Sequence, residues 1–446
     1  MAGHVAERLA EFVAETEYAD VPEEGVRTVE RAFVDTVGVT LPGTAEPAAE
    51  KTRAVFAHGG EASVLGTDRD APADAAALVN ATAGHALDYD DVVGEVWHPS
   101  VTLVAPALAV GESAGASGRA LVTAFAVGFE TETYLGRYLL PAHYERGWHS
   151  TPTLGVFGAT AAAASLLGLD TDSARHAFEL AASMPSGLKA NFGTMTKPLH
   201  PGLSSRAGVT AARLAAEGFT AAEGAIDGEL GFLDLYAGEG GPATDVTPPG
   251  DPWTLVTEGI RVKKYPCCYF THSSVAAAQH LAADHDIAPG DVERVAVGAS
   301  KAADTALHYS DPDTGLEGKF SMEYTVASGI VRDRLGLDAF TDDAVADPTV
   351  DAVRERVTFA VDPDIPDEGY SARVEIETTD GERYTRFQER PPGTPANPLS
   401  DEALRAKFED CVAHGPDVAP GAAYDLLDGL RDVDSVTTLT AALRPE

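Results

Sequence analysis

The chain has 446 residues, and 70 Asp plus Glu face only 32 Lys plus Arg. Its formal charge of −38 leaves nothing to neutralise a row of phosphates, so nucleic acid is excluded as a partner. Hydrophobic residues make up 44% and the acid is spread along the chain, which excludes a disordered acidic tail and predicts a globular protein with a solvated, salt-adapted surface.

The N-terminal stretch MAGHVAERLAEFVAETEYAD reads as an amphipathic helix with early acids, not as a basic signal peptide. From there to about residue 235, alanine-rich segments carry apolar residues at three- and four-residue spacing, the helical period. They include EEGVRTVERAFVDTVGVTL, ADAAALVNATAGHALDY, SVTLVAPALAVGESAG, GRALVTAFAVGFETETYLGRYLL, TLGVFGATAAAASLLGL and SSRAGVTAARLAAEGF. Several are nearly free of polar residues, which predicts helices buried on most sides. Only EASVLGT offers a strand in this part.

A Gly- and Pro-rich linker, GEGGPATDVTPPGDPW, spans 238 to 253. Beyond it VERVAVGAS, RVTFAVDP and SARVEIETTDGERYTRF alternate as strands do, the last with a turn at Asp380-Gly381. Helical segments lie between them, and the helical period returns from PLSDEALRAKFEDCVAHG onward. The expected fold is mainly α with an inserted α+β domain. A large all-helical domain would use both chain ends, 1–259 and 393–446, around a smaller α+β domain at 260–392. Clefts between such domains are the usual place for a small-molecule site.

No run of about 18 apolar residues exists, so no membrane partner is expected. The three cysteines, Cys267, Cys268 and Cys411, make neither a disulfide framework nor a CxxC zinc site. A soluble, cytoplasmic protein is expected. The adjacent pair carries no signal of an activating base and reads as core packing.

Chemistry gathers in five short stretches. HALDYDDVVGEVWHPS holds His85, Asp88, Asp90, Asp91 and His98; RGWHSTPTLG holds His149 before a buried helix. GTMTKPLHPG sets Lys197 and His200 in what reads as a Pro/Gly-flanked loop. KKYPCCYFTHSS carries Lys263, Lys264, Tyr265 and His272, and GKFSMEYTVA carries Lys319, Ser321 and Tyr324 at a helix start. Of eight lysines in the chain, five (189, 197, 263, 264 and 319) fall in or beside these stretches. Lysine and histidine gathered in an acidic protein make a local positive pocket for an anionic ligand.

The first stretch has three readings: a metal site, a metal-free acid/base site, or a polar face. Asp and His suit divalent ions, and Asp88 and Asp91 would share a face if helical. The set lacks a two-His i,i+4 pair, however, and the lysines would repel a cation. The metal-free reading asks for a substrate with several carboxylates, held by charge-assisted hydrogen bonds while a histidine moves a proton at the neighbouring carbon. Neither a metal nor a cofactor is expected.

HALDYDD…HPS, GWHSTPTLGVFGAT, KPLHPG, YPCC…TH and KFSMEYTVA, in this order and over nearly the whole chain, resemble the MmgE/PrpD family, which includes 2-methylcitrate dehydratase and cis-aconitate decarboxylase. The resemblance implies a helical domain from both chain ends, a smaller α+β lid and a homodimer. It implies a cofactor-independent lyase for a small polycarboxylate, with dehydration of 2-methylcitrate first and decarboxylation of cis-aconitate second. The family's site positions fall on Asp88, His98, His149, Lys197, His272 and Tyr324. His98 and His149 would transfer protons, Lys197 and His272 would bind carboxylates, Asp88 would orient its neighbour and Tyr324 would reach in as donor or acid. After the aspartates, where family members commonly carry threonine, this chain has Val92.

Overall fold

The alanine-rich segments fold as their period demands. In the computed structural model, which describes residues 4–94, 96–367 and 369–445, the chain is mainly helical with one small mixed sheet. It divides into two compact units, Met1–Arg261 with Leu404–Glu446, and Val262–Ala403. Among the described residues no helix is long and apolar enough to cross a membrane.

Six helices of the larger unit matter here: α1 Glu23–Gly43, α2 Ala73–His85, α3 Pro99–Ala114, α4 Gly118–Leu139, α5 Ser150–Leu166 and α6 Thr196–Ala216. Every residue of α5 from Ser150 to Ala164 is buried, as the absence of a polar stripe predicts for a central helix. Around it pack α3, α4 and α6, and α6 also lies against α2. Small residues set these distances. A Cβ on Gly208 of α6 would sit 2.5 Å from the Ala159 Cβ and 2.6 Å from the Thr160 nitrogen of α5, so only glycine allows that approach. The EASVLGT stretch gives a two-residue strand, Ala62–Ser63, paired antiparallel with Asp70–Ala71.

The smaller unit holds α7 His272–Asp284, α8 Met322–Val331 and a four-stranded sheet: β1 Val292–Ala299, β2 Val357–Val361, β3 Ala372–Thr378 and β4 Arg383–Gln388. The order is β2-β1-β3-β4, with β1 and β2 parallel and the other pairs antiparallel. Burial alternates along β3, whose inward Val374 and Ile376 join Val275 of α7 and Val326 of α8 in this unit's core. The turn at Asp380-Gly381 closes the β3–β4 hairpin, with Gly381 at φ +92°. The 393–403 segment stays with this unit, where the Gly393 carbonyl accepts the Val262 N–H at 2.9 Å.

A buried carboxyl in the larger unit, Glu132, competes with a backbone carbonyl for one hydroxyl proton. Thr102 Oγ1 lies 2.7 Å from the Pro99 carbonyl and 2.6 Å from Glu132 Oε1. The hydroxyl has one proton, and a carbonyl can only accept. That proton serves one acceptor at a time; when it goes to the Pro99 carbonyl, the Glu132 contact needs the proton of a neutral carboxyl, the form that burial favours. Burial pushes this carboxyl well above the usual range, and the nearby Asp91 adds to the effect. Replacing Glu132 by Gln, a neutral donor of the same length, is expected to shift unfolding by under about 1 kcal/mol, whereas Ala leaves a cavity and costs about 2–4 kcal/mol. Denaturant midpoints check this, and a Gln variant as unstable as the Ala variant would contradict the neutral carboxyl.

Candidate active site

Three of the expected residues stand at helix starts of the larger unit. His98 is the N-cap of α3, with Pro99 following at the first helical position, and His149 is the N-cap of α5. Lys197 lies in the first turn of α6. Unpaired backbone N–H groups and the positive end of the helix dipole favour anions at such positions and disfavour protonated imidazole.

The sequence led to a loop at KPLHPG, and here it misled. Helix α6 begins at Thr196, eight residues ahead of the SSRAG segment, and runs through both prolines. Pro198 sits in the first turn, where its missing N–H is harmless. Pro201 withholds a hydrogen bond only from the Lys197 carbonyl, one turn back. Gly202 serves packing: a Cβ there would lie 2.6 Å from the Leu78 carbonyl oxygen of α2. Lys197 and His200 therefore share a helix face at i, i+3.

The 86–98 segment is not helical, so Asp88 and Asp91 do not share a helical face; α2 stops at His85. Asp88 adopts φ +55° and Trp97 φ +68°, left-handed conformations unusual for any side chain and most of all for tryptophan. The backbone is held on both flanks. Val92 exchanges hydrogen bonds with Arg261 at 2.9 and 3.0 Å, and Val93 exchanges them with Trp97 at 2.8 and 2.9 Å. Lys407, buried, donates to the Tyr89 carbonyl at 3.0 Å while pairing with Asp35 at 2.5 Å. The Val92 side chain is itself buried, which makes it a packing residue of this segment.

Within this frame the polar groups are ordered. Asp88 Oδ1 accepts from the Lys197 ammonium at 2.7 Å. Asp90 is fully buried and accepts from His85 Nδ1 at 2.8 Å, with His98 Nδ1 at 3.2 Å. Burial alone would raise the Asp90 carboxyl, but the two imidazoles overcome it and hold it well below the usual range. His98 Nδ1 also lies 2.8 Å from the Asp91 carbonyl. A carbonyl only accepts, so this Nδ1 carries a proton and Nε2 is the position left for proton exchange. The Asp91 carboxyl accepts from the backbone N–H and hydroxyl of Ser100, bracing the start of α3. Burial drives this second aspartate the other way, well above the ordinary carboxylate range.

His149 Nδ1 stands 3.0 Å from His200 Nδ1, and the Phe192 and His149 rings meet edge to face with centroids 4.8 Å apart. Burial, then the charges of His85, Lys197, His98 and His200, press His149 well below the ordinary imidazole value. Burial first and Lys197 second hold His200 at about 4, and burial is also the main cause that holds His85 at about 4. The set is thus one buried carboxylate and three imidazoles kept neutral at pH 7, beside an ion-paired lysine.

His85, Asp90 and His98 place one potential metal-ligand atom each within 4.8 Å of the others. Their 2.8 and 3.2 Å separations are hydrogen-bond lengths, and the Asp91 carbonyl takes the same His98 proton, so the contacts describe a proton-sharing trio.

The two remaining expected residues belong to the smaller unit. His272 begins α7, buried, its Nε2 3.4 Å from the Cys267 carbonyl and its ring against Tyr265 and Tyr269. Tyr324 is fully buried in α8, its hydroxyl donating to the Ala339 carbonyl and its ring against Phe340. That position is a core one: Ser321 caps the helix through the Tyr324 N–H at 3.0 Å, and the hydroxyl proton goes to the Ala339 carbonyl. Burial pushes the Cys267 thiol up to about 12, which fits packing and not thiolate chemistry. Of the lysines singled out, Lys263, Lys264 and Lys319 lie in this unit; Lys189 lies in the larger one, 3.2 Å from the Tyr144 carbonyl and over the Tyr144 ring.

Imidazoles and an ammonium at helix starts, steadied by a buried carboxylate, define a general acid–base site suited to an anionic ligand. The chain belongs to the MmgE/PrpD family: residues 7–245 match the MmgE/PrpD N-terminal domain and residues 265–421 the MmgE/PrpD C-terminal domain. It is 28% identical to the cis-aconitate decarboxylase of Mus musculus, over 86% of this chain and 81% of that protein. It is 28% identical to the cis-aconitate decarboxylase-like protein oryM of Aspergillus oryzae, over 91% and 90%, and 26% identical to the human cis-aconitate decarboxylase, over 91% and 87%.

Proposed function

We propose that this MmgE/PrpD lyase acts on a small polycarboxylic acid by general acid–base chemistry, with decarboxylation of a cis-aconitate-like acid as its reaction. The observation that carries it is the pairing of proton-transfer groups with a charge partner in one frame: His98 with Nδ1 committed to the Asp91 carbonyl, His149 held neutral, and Lys197 on the adjacent helix start. In such a reaction one carboxylate leaves as carbon dioxide and its electron pair forms a new double bond. The old double bond takes a proton at its far carbon. Lys197 would hold a carboxylate by a charge-assisted hydrogen bond, and His149 in its Nε2–H tautomer, or His98 after its Nε2 has taken up a proton from solvent, would hand the proton to carbon. Asp88, bound to Lys197, sets where that ammonium stands. His272 and Tyr324 take no step in this scheme.

The names of the relatives support decarboxylation ahead of dehydration of 2-methylcitrate, which needs the same residue types. Product identity separates the two, since water loss keeps every carbon. The purified protein, in molar salt with chelator present, is offered cis-aconitate, 2-methylcitrate and citrate, with products followed by mass spectrometry. Carbon dioxide from cis-aconitate is the expected result. Water loss from 2-methylcitrate with cis-aconitate untouched would replace decarboxylation by dehydration. Folded protein that consumes none of the three would overturn the substrate class.

A further inference from the structure

The contact between His149 and His200 has a property that neither ring has alone. Two Nδ1 atoms face each other at 3.0 Å, both rings buried. A neutral imidazole has one N–H and one lone pair. Two N–H groups at this distance would clash and two lone pairs would repel, so one proton lies between the rings. The two histidines must then be in opposite tautomers. With the shared proton on His149, its Nε2 is bare and His200 carries its other proton on Nε2. With the shared proton on His200, it is His149 that presents an Nε2–H.

We propose that His200 is the positioning residue for His149: it sets the tautomer of His149 through the shared Nδ1 proton and serves as its proton reservoir. The relay balances in both directions. When His149 Nε2 accepts a proton, its Nδ1 proton passes to His200 Nδ1, and the positive charge moves one ring away. When that charged pair gives the His149 Nε2–H proton to carbon, the Nδ1 proton of the doubly protonated His200 returns to His149 Nδ1, and both rings end neutral. One histidine can thereby act as base and as acid without turning its ring.

The fold holds the pair in register. His149 is fixed as the N-cap of α5, its backbone N–H donating to the Gly187 carbonyl at 3.1 Å. His200 is fixed by the close approach of Gly202 to α2. The charged or titratable groups facing the pair are Lys197 on α6, His85 on α2 and His98 at the start of α3. They oppose a lasting positive charge on either ring, which is what a transient relay requires.

The role in turnover rests on the acid–base reading above, but the tautomer pairing does not, and the test separates them. Long-range 1H–15N spectra of the full chain labelled with 15N-histidine report each ring's tautomer, with peaks assigned from His149→Gln and His200→Gln. Complementary neutral tautomers for His149 and His200, or a matched average of the two, are expected at pH 7.5. Both rings in the same fixed tautomer, or either ring doubly protonated, would overturn the proposal whatever the substrate. In parallel, His200→Phe keeps the ring volume and removes the nitrogens. It is expected to lower kcat at least about tenfold with KM within about twofold, and His200→Asn, which can still bond Nδ1, to recover part of the loss. Complementary tautomers together with an unchanged kcat in His200→Phe would overturn the relay and leave the lyase reading intact. Should the Phe variant fail to fold, the wild-type spectra and the Asn variant decide.

Discussion

Asparagine in place of His98 is expected to lower kcat by about two to four orders of magnitude, the usual weight of a positioned acid–base group, with little change in the unfolding midpoint. The choice of asparagine follows from the geometry. Its side-chain amide can reproduce the Nδ1–H donor that reaches the Asp91 carbonyl at 2.8 Å, so the bracing of the 86–98 segment survives. What it lacks is the second nitrogen. A clean loss of turnover in a well-folded variant therefore isolates Nε2 as the proton-transfer atom. Steady-state kinetics beside thermal unfolding make the comparison, and a variant that keeps more than about a tenth of kcat removes His98 from the chemistry.

Methionine at position 197 is expected to act in two ways at once. A charge-assisted hydrogen bond contributes about 1.5–3 kcal/mol, so losing the ammonium should raise KM by about ten- to a hundredfold for a polycarboxylate. The second effect is electrostatic. Lys197 is among the causes that lower His149, His200 and His85, so removing its charge raises all three. A reaction that uses neutral imidazole is lost as pH falls through those values. The acid limb of kcat/KM in the wild type should therefore lie below the ordinary histidine value, and in Lys197→Met it should move upward. A KM and a limb that both stay in place would dissociate Lys197 from substrate and histidines alike.

Much of the larger frame was legible because period and composition are local properties. The buried helices from Ser150 or Gly118 follow from apolar residues recurring at the helical period, and the alternation in SARVEIET and the turn at Asp380-Gly381 appear as β3 and its hairpin. Proline and glycine defeated the reading where their use is tertiary. Pro201 and Gly202 look like loop residues until the neighbouring α2 helix shows why a glycine is needed there. With that helix missed, Lys197 and His200 could not be seen to share a face.

His98, His149, Asp88 and Lys197 stand out in the sequence because polar residues interrupt apolar surroundings there, and all four lie in the larger unit. The pairing of Asp90 with His85, and of Lys407 with Asp35 under the Tyr89 carbonyl, spans sequence distances that no local pattern encodes. Tyr324 is matched by its motif, while the direction of its hydroxyl, to the Ala339 carbonyl, is set by tertiary packing that the motif does not encode.

The ion pair between Asp88 and Lys197 also bears on which anions can compete for this enzyme. Because the ammonium already has a carboxylate at 2.7 Å, a newcomer gains no bare charge; it must trade places with a tethered rival. A lone halide or acetate brings one contact to that exchange and leaves Asp88 without its counter-ion. A molecule bearing two or three carboxylates brings further contacts that outlast the trade. Selectivity against abundant small anions is thus built in by occupation, and would persist in brine where screening erases simple attraction.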